Sequence, residues 1–551
     1  MEVPGGVRPA HPGTEVPVRE QVRGAMPKLT INGISVDAPE GVTILEAARS
    51  IGVEIPHYCY HPKLSIAGNC RMCLVEVEKF PKLQISCNTF VTEGMVVRTD
   101  TEKVHKAVTG VLEFLLIHHP VDCPICDQAG ECGLQNYYMQ YGLHKSRYPL
   151  EDKVHKKKVQ DIGGQIVLDA ERCILCSRCV RFLQEVTRTG ELEFFHRGDH
   201  SEIAIFPGKP LSNHYTGNLA DICPVGALTS KDFRFKCRVW FLKSAESVCP
   251  GCAHGCNVLA DFKGEILYRF RPRRNDAVND TWMCDFGRLE YKKANEFRLL
   301  TPIFRENGTM SAVSWESVLY TAASRLREAV DAHGPEAVAV IASPQLSNEE
   351  LFLVRKLAEE ILSTPNLAFT SRTPGETVSD DFLLREDKNP NSRGAQLLGI
   401  SEDRFDGIVR RIYEGKIRAL LFFGNQLGDL SDGETALLLQ NVPFVAQVGT
   451  NEGPVYRSAH AVLPCASFAE RGGTFTNHAG RVQRFRMAFP PRGKARTGIE
   501  ILNGLAVRLG TEWNFTGEGP VFKALAESCP PFAGMSYESI GPGGQVAEEG
   551  R

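Results

Sequence analysis

The chain has 551 residues, a formal net charge of −3, 42% hydrophobic and 23% charged side chains. Length alone predicts about three or four domains. The near-neutral charge offers no basic face for nucleic acid, and no apolar run approaches the roughly eighteen residues of a membrane-spanning helix. There are 18 cysteines. In a chain of this size without a secretory signature they point to a reducing compartment, where clustered thiols are metal ligands or redox groups rather than disulfides.

Residues 1–27 are rich in Pro and Gly and lack the apolar core of a secretory signal, while Glu2, Glu15 and Glu20 argue against an organelle transit peptide. The stretch is expected to be disordered, with Met26 an alternative start. Residues 28–36 alternate around Asn32-Gly33, a hairpin-turn signal. A short helix over Thr43–Ser50, capped by Thr43, presents Ile44, Ala47 and Ala48 on one face, and Leu74–Glu78 alternates as a strand. Residues 104–117 form an amphipathic helix leading into His118-His119-Pro120. The basic stretch Lys153–Lys158 reads as a solvated linker. After Cys284 the pattern changes. Trp315–Val330 is helical, with Val318, Leu319, Ala322, Leu326 and Val330 on one face, and Gly334-Pro335 ends it. Val338–Ala342 is a buried strand, and Ser347-x-x-Glu350 is a capping box opening the next helix. Further strands at Arg418–Phe423, Phe444–Val448 and Ala459–Leu463 predict a parallel α/β sheet with helices on both faces. From about Ser536 the chain is Gly- and Glu-rich and is expected to be disordered.

Four sets of metal-binding side chains stand out. Cys59, Cys70, Cys73 and Cys87 are spaced C-x10-C-x2-C-x13-C. Four thiolates suit a [2Fe–2S] cluster or zinc, but zinc sites commonly use two C-x2-C knuckles and this set has one. Gly68 is expected to let the backbone turn toward the inorganic sulfide. The second set is Cys123, Cys126 and Cys132 with a histidine ahead of them, spaced H-x3-C-x2-C-x5-C when that histidine is His119, with His118 as the local competitor. Three cysteines leave a cubane one ligand short; a histidine completes it, and spacing leaves both His118 and His119 open. A neutral imidazole in place of a thiolate makes the cluster less negative and raises its potential. Cys173, Cys176, Cys179 and the remote Cys223 before Pro224 form the third set. A two-cluster ferredoxin would place another cysteine where Leu183 stands, so one [4Fe–4S] cluster is predicted here. The fourth set, Cys249, Cys252, Cys256 and Cys284, is spaced C-x2-C-x3-C-x27-C and also predicts a [4Fe–4S] cluster, with structural zinc as the competing reading. Cys237, Cys465 and Cys529 are left over, as small buried hydrophobes or free thiols.

Together these spacings resemble the family of large iron–sulfur subunits, the 75-kDa type, of NADH:quinone oxidoreductase, respiratory complex I. The segments Gly68-Asn69-Cys70-Arg71-Met72-Cys73, His119 through Gly133 and Arg172 through Arg181 carry the resemblance over residues 28–290. It implies His119 as the ligand, a ferredoxin-like β-grasp first domain (28–104), a His/Cys3 segment (105–150), a ferredoxin-like domain (151–245) and a fourth cluster domain (246–300). Residues 301–535 are similar to the molybdopterin oxidoreductase family, through Leu463-Pro464, Glu470, Gly473-Thr474, Asn477 and Gly480-Arg481-Val482-Gln483. Those enzymes commonly carry Lys two residues after the last cluster cysteine. Phe286 stands there, and no cysteine lies between 284 and 465. No functional molybdopterin is therefore expected. The fourth cysteine set resembles the bacterial form, and the resemblance implies that its cluster lies off the main electron path.

The fold class expected is α+β iron–sulfur domains followed by an α/β molybdopterin-oxidoreductase-like domain, with one [2Fe–2S] and three [4Fe–4S] clusters. No G-x-G-x-x-G or Walker-type loop appears, so no catalytic residue and no substrate site of its own are expected. The resemblance implies a flavin/NADH-binding partner subunit and other peripheral-arm subunits, with electrons passing to quinone at the cytoplasmic face of a bacterial inner membrane. The competing readings are a pterin-dependent formate dehydrogenase subunit, the small subunit of an NAD-linked hydrogenase, and a zinc-stapled scaffold.

Overall fold

Asn32 and Gly33 both take positive φ (50° and 83°) and turn β1 (Lys28–Ile31) onto β2 (Ile34–Asp37) as an antiparallel hairpin. β1 also runs parallel to β5 (Met95–Arg98), which pairs with β3 (Leu74–Val77); β4 (Gln84–Ile85) edges the sheet, giving the order β2-β1-β5-β3-β4. The helix Ile44–Ser50 begins with a capping box in which Thr43 and Glu46 satisfy each other's backbone donors. It buries Ile44, Ala47 and Ala48 in one core with Leu29, Ile31, Val75 and Val97. This is the first of two units described here by a computed structural model, which covers residues 26–306, 308–371 and 378–547. The expectation of disorder before Pro27 concerns residues almost wholly outside that range.

Residues of the segment 105–150 are divided between the two units. The helix Glu102–Leu116 and residues 137–149 belong to the first unit, the ligand loop His118–Asn136 to the second. Burial decides the helix: Val104, Val108 and Leu112 are all buried. Thr109 Oγ donates to the Tyr141 carbonyl (3.0 Å) and the Tyr137 hydroxyl to Glu54 (3.1 Å).

In the second unit β6 (Gln160–Asp161), β7 (Ile166–Leu168) and β10 (Leu228–Ser230) form a small antiparallel sheet. The hairpin β8 (Leu192–Phe195) and β9 (Glu202–Ile205) lies between them in sequence. A second antiparallel sheet joins β11 (Lys243–Val248), β12 (Asn257–Lys263) and β13 (Ile266–Pro272). The C-terminal region is built on β14 (Ile303–Glu306), β15 (Thr309–Ala312), β16 (Val338–Ala342), β17 (Leu367–Phe369), β18 (Ala419–Phe423), β19 (Phe444–Gly449) and β20 (Ala461–Pro464), ordered β15-β14-β20-β19-β18-β16-β17. The five strands from β20 to β17 are parallel, with the β14–β15 hairpin added antiparallel at one edge. Side chains of β16 alternate between two cores. Val338, Val340 and Ala342 pack with the helices Trp315–His333 and Gly498–Arg508, whereas Ala339 and Ile341 pack with Phe405–Tyr413 and Asp432–Leu439. A strand covered on both faces needs no polar side, which is why its sequence is a continuous apolar run.

Two expectations are corrected. The chain past Ser536 is ordered as far as Ala547: a helix spans Tyr537–Ile540, and β23 (Gln545–Val546) pairs with β22 (Arg481–Phe485), itself paired with β21 (Gly473–Thr476). Ile540 and Ala547 are buried, and that burial outweighs the glycines of the segment; residues 548–551 lie outside the described range. The basic stretch is also more than a solvated linker. Lys158 pairs with Glu171 (2.6 Å) and Asp122 (3.2 Å), and the Lys156 ammonium donates to the Ser201 carbonyl.

Candidate metal centres

Within the first unit the structure brings Cys59, Cys70, Cys73 and Cys87 together; all but Cys70 are buried. The thiols of Cys70 and Cys87 hydrogen-bond to Cys59, and Cys87 also to Cys73, which pulls Cys59 and Cys73 down and pushes Cys70 and Cys87 up. The loop turns at two left-handed residues, Gly68 (φ 61°) and Arg71 (φ 59°). Glycine takes that conformation freely; for arginine it is strained backbone of the kind that collects at functional sites.

The second set is held by its neighbours rather than by regular structure. Arg238 donates to the carbonyls of Cys126 (2.6 Å) and Pro124 (2.7 Å), and the Phe235 N–H donates to Asp127 (2.8 Å). The two histidines differ sharply. His118 Nδ1 accepts from the Val154 N–H (3.2 Å). His119 Nδ1 is buried with no hydrogen-bond partner, and burial lowers the ring to about 4. At neutral pH it is therefore an uncharged imidazole with an unused nitrogen, the form in which histidine ligates metals. Arg172 stands beside this loop, matched by Asp122 (2.7 Å) and Asp169 (3.3 Å).

Cys173, Cys176, Cys179 and Cys223 line one small cavity, closed by Ile203, Val225 and Leu228. Left-handed Leu175 (φ 53°) and Ser177 (φ 67°) curl the loop so that its cysteines converge, and the Leu175 N–H donates to Cys173 Sγ (3.4 Å). Burial pushes Cys173 up to about 12 and Cys179 well above the ordinary thiol value. Cys223 receives backbone hydrogen bonds from Val225, Ala227 and Leu228. The turn after it borders the second set: the Gly133 N–H donates to the Pro224 carbonyl (2.9 Å), and a Cβ on Gly226 would lie 2.4 Å from Cys126 Sγ.

The fourth set is buried throughout. It sits at the tip of the β11–β12 hairpin, where the Cys249 N–H donates to the Cys256 carbonyl (2.8 Å). Cys284 caps the helix Asp285–Leu289 and its Sγ accepts from the Gly287 N–H (3.2 Å). A Cβ on Gly287 would come within 2.8 Å of Cys249 Sγ. Burial pushes Cys284 up to about 12 and Cys249 and Cys256 well above the ordinary range. The molybdopterin-type motif residues hold this loop from outside: Gln483 donates to the Gly255 carbonyl (3.0 Å) and Asn477 to that of His254 (3.2 Å). Gly473 lies where a Cβ would strike Ser347, and Thr474 is bound by Glu349. Sequence reasoning missed the segment that covers Cys252, where Leu383 lies against Sγ (3.9 Å to its carbonyl) and the Asp387 carbonyl accepts from Ala253 (2.9 Å). It carries no cysteine, and its charged composition reads as a solvated loop. Of the leftover thiols, Cys465 and Cys529 are buried and Cys237 is half-buried.

Among the described residues no three His, Cys, Asp or Glu side chains converge as tightly as one metal ion requires. A cluster spreads its ligands over several irons, one on each iron of a cubane and two on each iron of a [2Fe–2S] cluster. The sites suit such groups through backbone donors to sulfur and glycines where a Cβ would intrude.

The family comparisons follow the same divisions. A 2Fe-2S iron-sulfur cluster binding domain matches residues 24–102, the NADH-ubiquinone oxidoreductase-G iron-sulfur binding region 109–147, and the NADH-quinone oxidoreductase subunit 3 ferredoxin-like domain 163–229. The NADH-ubiquinone oxidoreductase NDSU1/NuoG-like 4Fe-4S domain matches 242–292, and Molybdopterin oxidoreductase 298–392 and 389–508. The G-type subunit of NADH-quinone oxidoreductase from Rickettsia bellii is 40% identical over 93% of this chain and 90% of its own length. The chain belongs to this family of G-type, or 75-kDa, subunits. The mitochondrial 78 kDa subunit of NADH-ubiquinone oxidoreductase from Neurospora crassa, 41% identical over 94% of the chain and 85% of its own length, extends the family across bacteria and mitochondria. The G-type subunit from Rickettsia felis is 42% identical over 61% of this chain; across that match the chain spans about half the relative's length, 49%. The fold class expected from sequence, iron–sulfur domains followed by a molybdopterin-oxidoreductase domain, is the one this family has. No helix among the described residues is long and apolar enough to cross a membrane.

Proposed function

We propose that this chain is the electron-relaying iron–sulfur subunit of an NADH:quinone oxidoreductase. In this reading Cys59, Cys70, Cys73 and Cys87 hold a [2Fe–2S] cluster. Three [4Fe–4S] clusters are held by His119 with Cys123, Cys126 and Cys132, by Cys173, Cys176, Cys179 and Cys223, and by Cys249, Cys252, Cys256 and Cys284. The observation that carries the reading is His119: the one set with only three thiols is the set beside a buried imidazole nitrogen that nothing else uses.

Bound clusters supply one-electron carriers, and the protein's task is to hold them and tune them. Buried thiols give up their protons to iron and exclude water. N–H groups such as those of Leu175 and Gly287 stabilise negative sulfur, which raises a potential. The common border of the second and third sets, at Gly226 and Cys126, supports close spacing along a relay. The Cys59, His119 and Cys173 sets would lie on the path and the Cys249 set to its side. A flavin- and NADH-binding partner supplies electrons and other peripheral-arm subunits receive them for quinone, at the cytoplasmic face of a bacterial inner membrane. The α/β region serves as a scaffold without a working pterin.

Anaerobic purification with metal analysis and EPR tests this. The reading requires about 14 irons per chain, one [2Fe–2S] signal and three cubane signals. C126S should remove one cubane signal and leave the [2Fe–2S] signal. A colourless zinc protein would overturn the relay, and bound molybdenum or tungsten would favour a formate dehydrogenase subunit.

A further inference from the structure

Lys388 is the only lysine among the buried described residues, 3% exposed. Taking an ammonium out of water costs several kcal/mol unless countercharge or hydrogen bonds offset it. Its Nζ donates to the carbonyls of Val378 (2.8 Å) and Arg385 (2.5 Å), and no carboxylate among the described residues pairs with it. Its positive charge favours the thiolate form of two cysteines of the fourth set, Cys252 and Cys284. Its Nζ lies 5.4 Å from the centre of the Phe286 ring, two residues beyond Cys284. The segment that carries it is pinned over the site by the Ala253–Asp387 hydrogen bond (2.9 Å) and by the Tyr215 hydroxyl, which accepts from Leu383 (3.1 Å) and donates to Asp380 (2.6 Å). The two carboxylates that oppose Lys388 at these thiols are otherwise engaged. Asp387 accepts from the Asn389 N–H (3.0 Å), and Asp285 from Thr216 and Gly217 (2.7 Å to the latter). Beside the second set, by contrast, Arg172 is matched by its own aspartates.

We propose that Lys388 is a positioning residue for the fourth site: a fixed buried cation whose counterion is the thiolate-bound cluster itself, and which raises that cluster's reduction potential. The proposal rests on the ligand reading above. Reduction adds one negative charge to the cage, and a nearby cation favours the more negative state. The chain therefore carries, on a segment about a hundred residues beyond the last ligand, a device that makes this site a better electron acceptor than its four thiolates alone would.

The test uses the full chain in its anaerobically purified complex, with the fourth-site EPR signal assigned by its loss in Cys256→Ser. Lys388→Gln and Lys388→Met should keep the iron content but lower the midpoint of that signal. At the wild-type midpoint the reduced-to-oxidised ratio should fall about tenfold, about 59 mV for one electron. Lys388→Arg should stay within about threefold of wild type, and the other three signals should not move. Neutral variants with full iron and an unshifted fourth signal would overturn the proposal. If the neutral variants lose only the fourth cluster, retention in Lys388→Arg supports it and equal loss in Lys388→Arg sinks it. Absence of a fourth cubane from the wild-type chain would instead fail the ligand reading.

Discussion

At the scale of single residues the sites depend as much on missing atoms as on ligands. Gly287 and Gly226 each leave room beside a cysteine sulfur that a methyl group would occupy. Gly287→Ala should cost the fourth cluster, about four irons per chain, while the [2Fe–2S] signal persists; an alanine variant with full iron would show that the backbone yields there. His119 admits a sharper trial. His119→Cys should keep the cubane but lower its potential, because a thiolate adds negative charge, whereas His119→Ala should lose it. Redox titration by EPR reads both, and an unchanged midpoint in His119→Cys would count against the imidazole as ligand.

At the scale of elements, two joints stand out in the second unit. The segment ahead of Cys223 is clasped to the helix after Cys284: the Asp285 carboxylate accepts from the Thr216 N–H (2.9 Å), its hydroxyl (2.6 Å) and the Gly217 N–H (2.7 Å), while Arg288 pairs with Asp221. Asp285→Ala strands three donors and should destabilise this unit by about 3 kcal/mol or more, measured by urea unfolding. The second joint is Glu470, fully buried between Arg298 (2.6 Å) and Arg492 (3.4 Å). Burial alone would raise its carboxyl, but the Arg298 guanidinium holds it below the ordinary 4.5. A lowered folded value means the stabilisation is complete above about pH 4.5 and is lost as pH falls through the folded value. Glu470→Gln should cost about 3 kcal/mol at pH 7 and lose part of the acid sensitivity seen in wild type. Parallel pH–stability curves for the two proteins would contradict this.

For the molecule as a whole, the cores differ greatly in extent. The α/β region has apolar packing on both faces of its sheet, while the first unit rests on one small core beside its four cysteines. Small domains lean on bound metal for folding, and large ones do not. Stripping iron should therefore raise hydrogen exchange in β1 to β5 well before it does so in β16, β18 and β19. Uniform loss of protection across both regions would show the units to be thermodynamically inseparable.

Cysteine spacing alone marks out the four proposed sets, because thiolates that wrap one cluster recur at short intervals. Asn32-Gly33, the Thr43 and Ser347 caps and the apolar run Val338–Ala342 were equally plain, since each depends on local backbone preference or on periodicity. His118 and His119 stay open by residue chemistry in the sequence; the fold sets them apart, giving His118 Nδ1 a backbone donor and leaving His119 Nδ1 buried without a hydrogen-bond partner. The ordered chain past Ser536 and the cover over Cys252 from Leu383, Asp387 and Lys388 lay outside any local pattern. Those contacts join residues a hundred or more positions apart, and burial, countercharge and hydrogen-bond supply at such distances exist only once the chain has closed on itself.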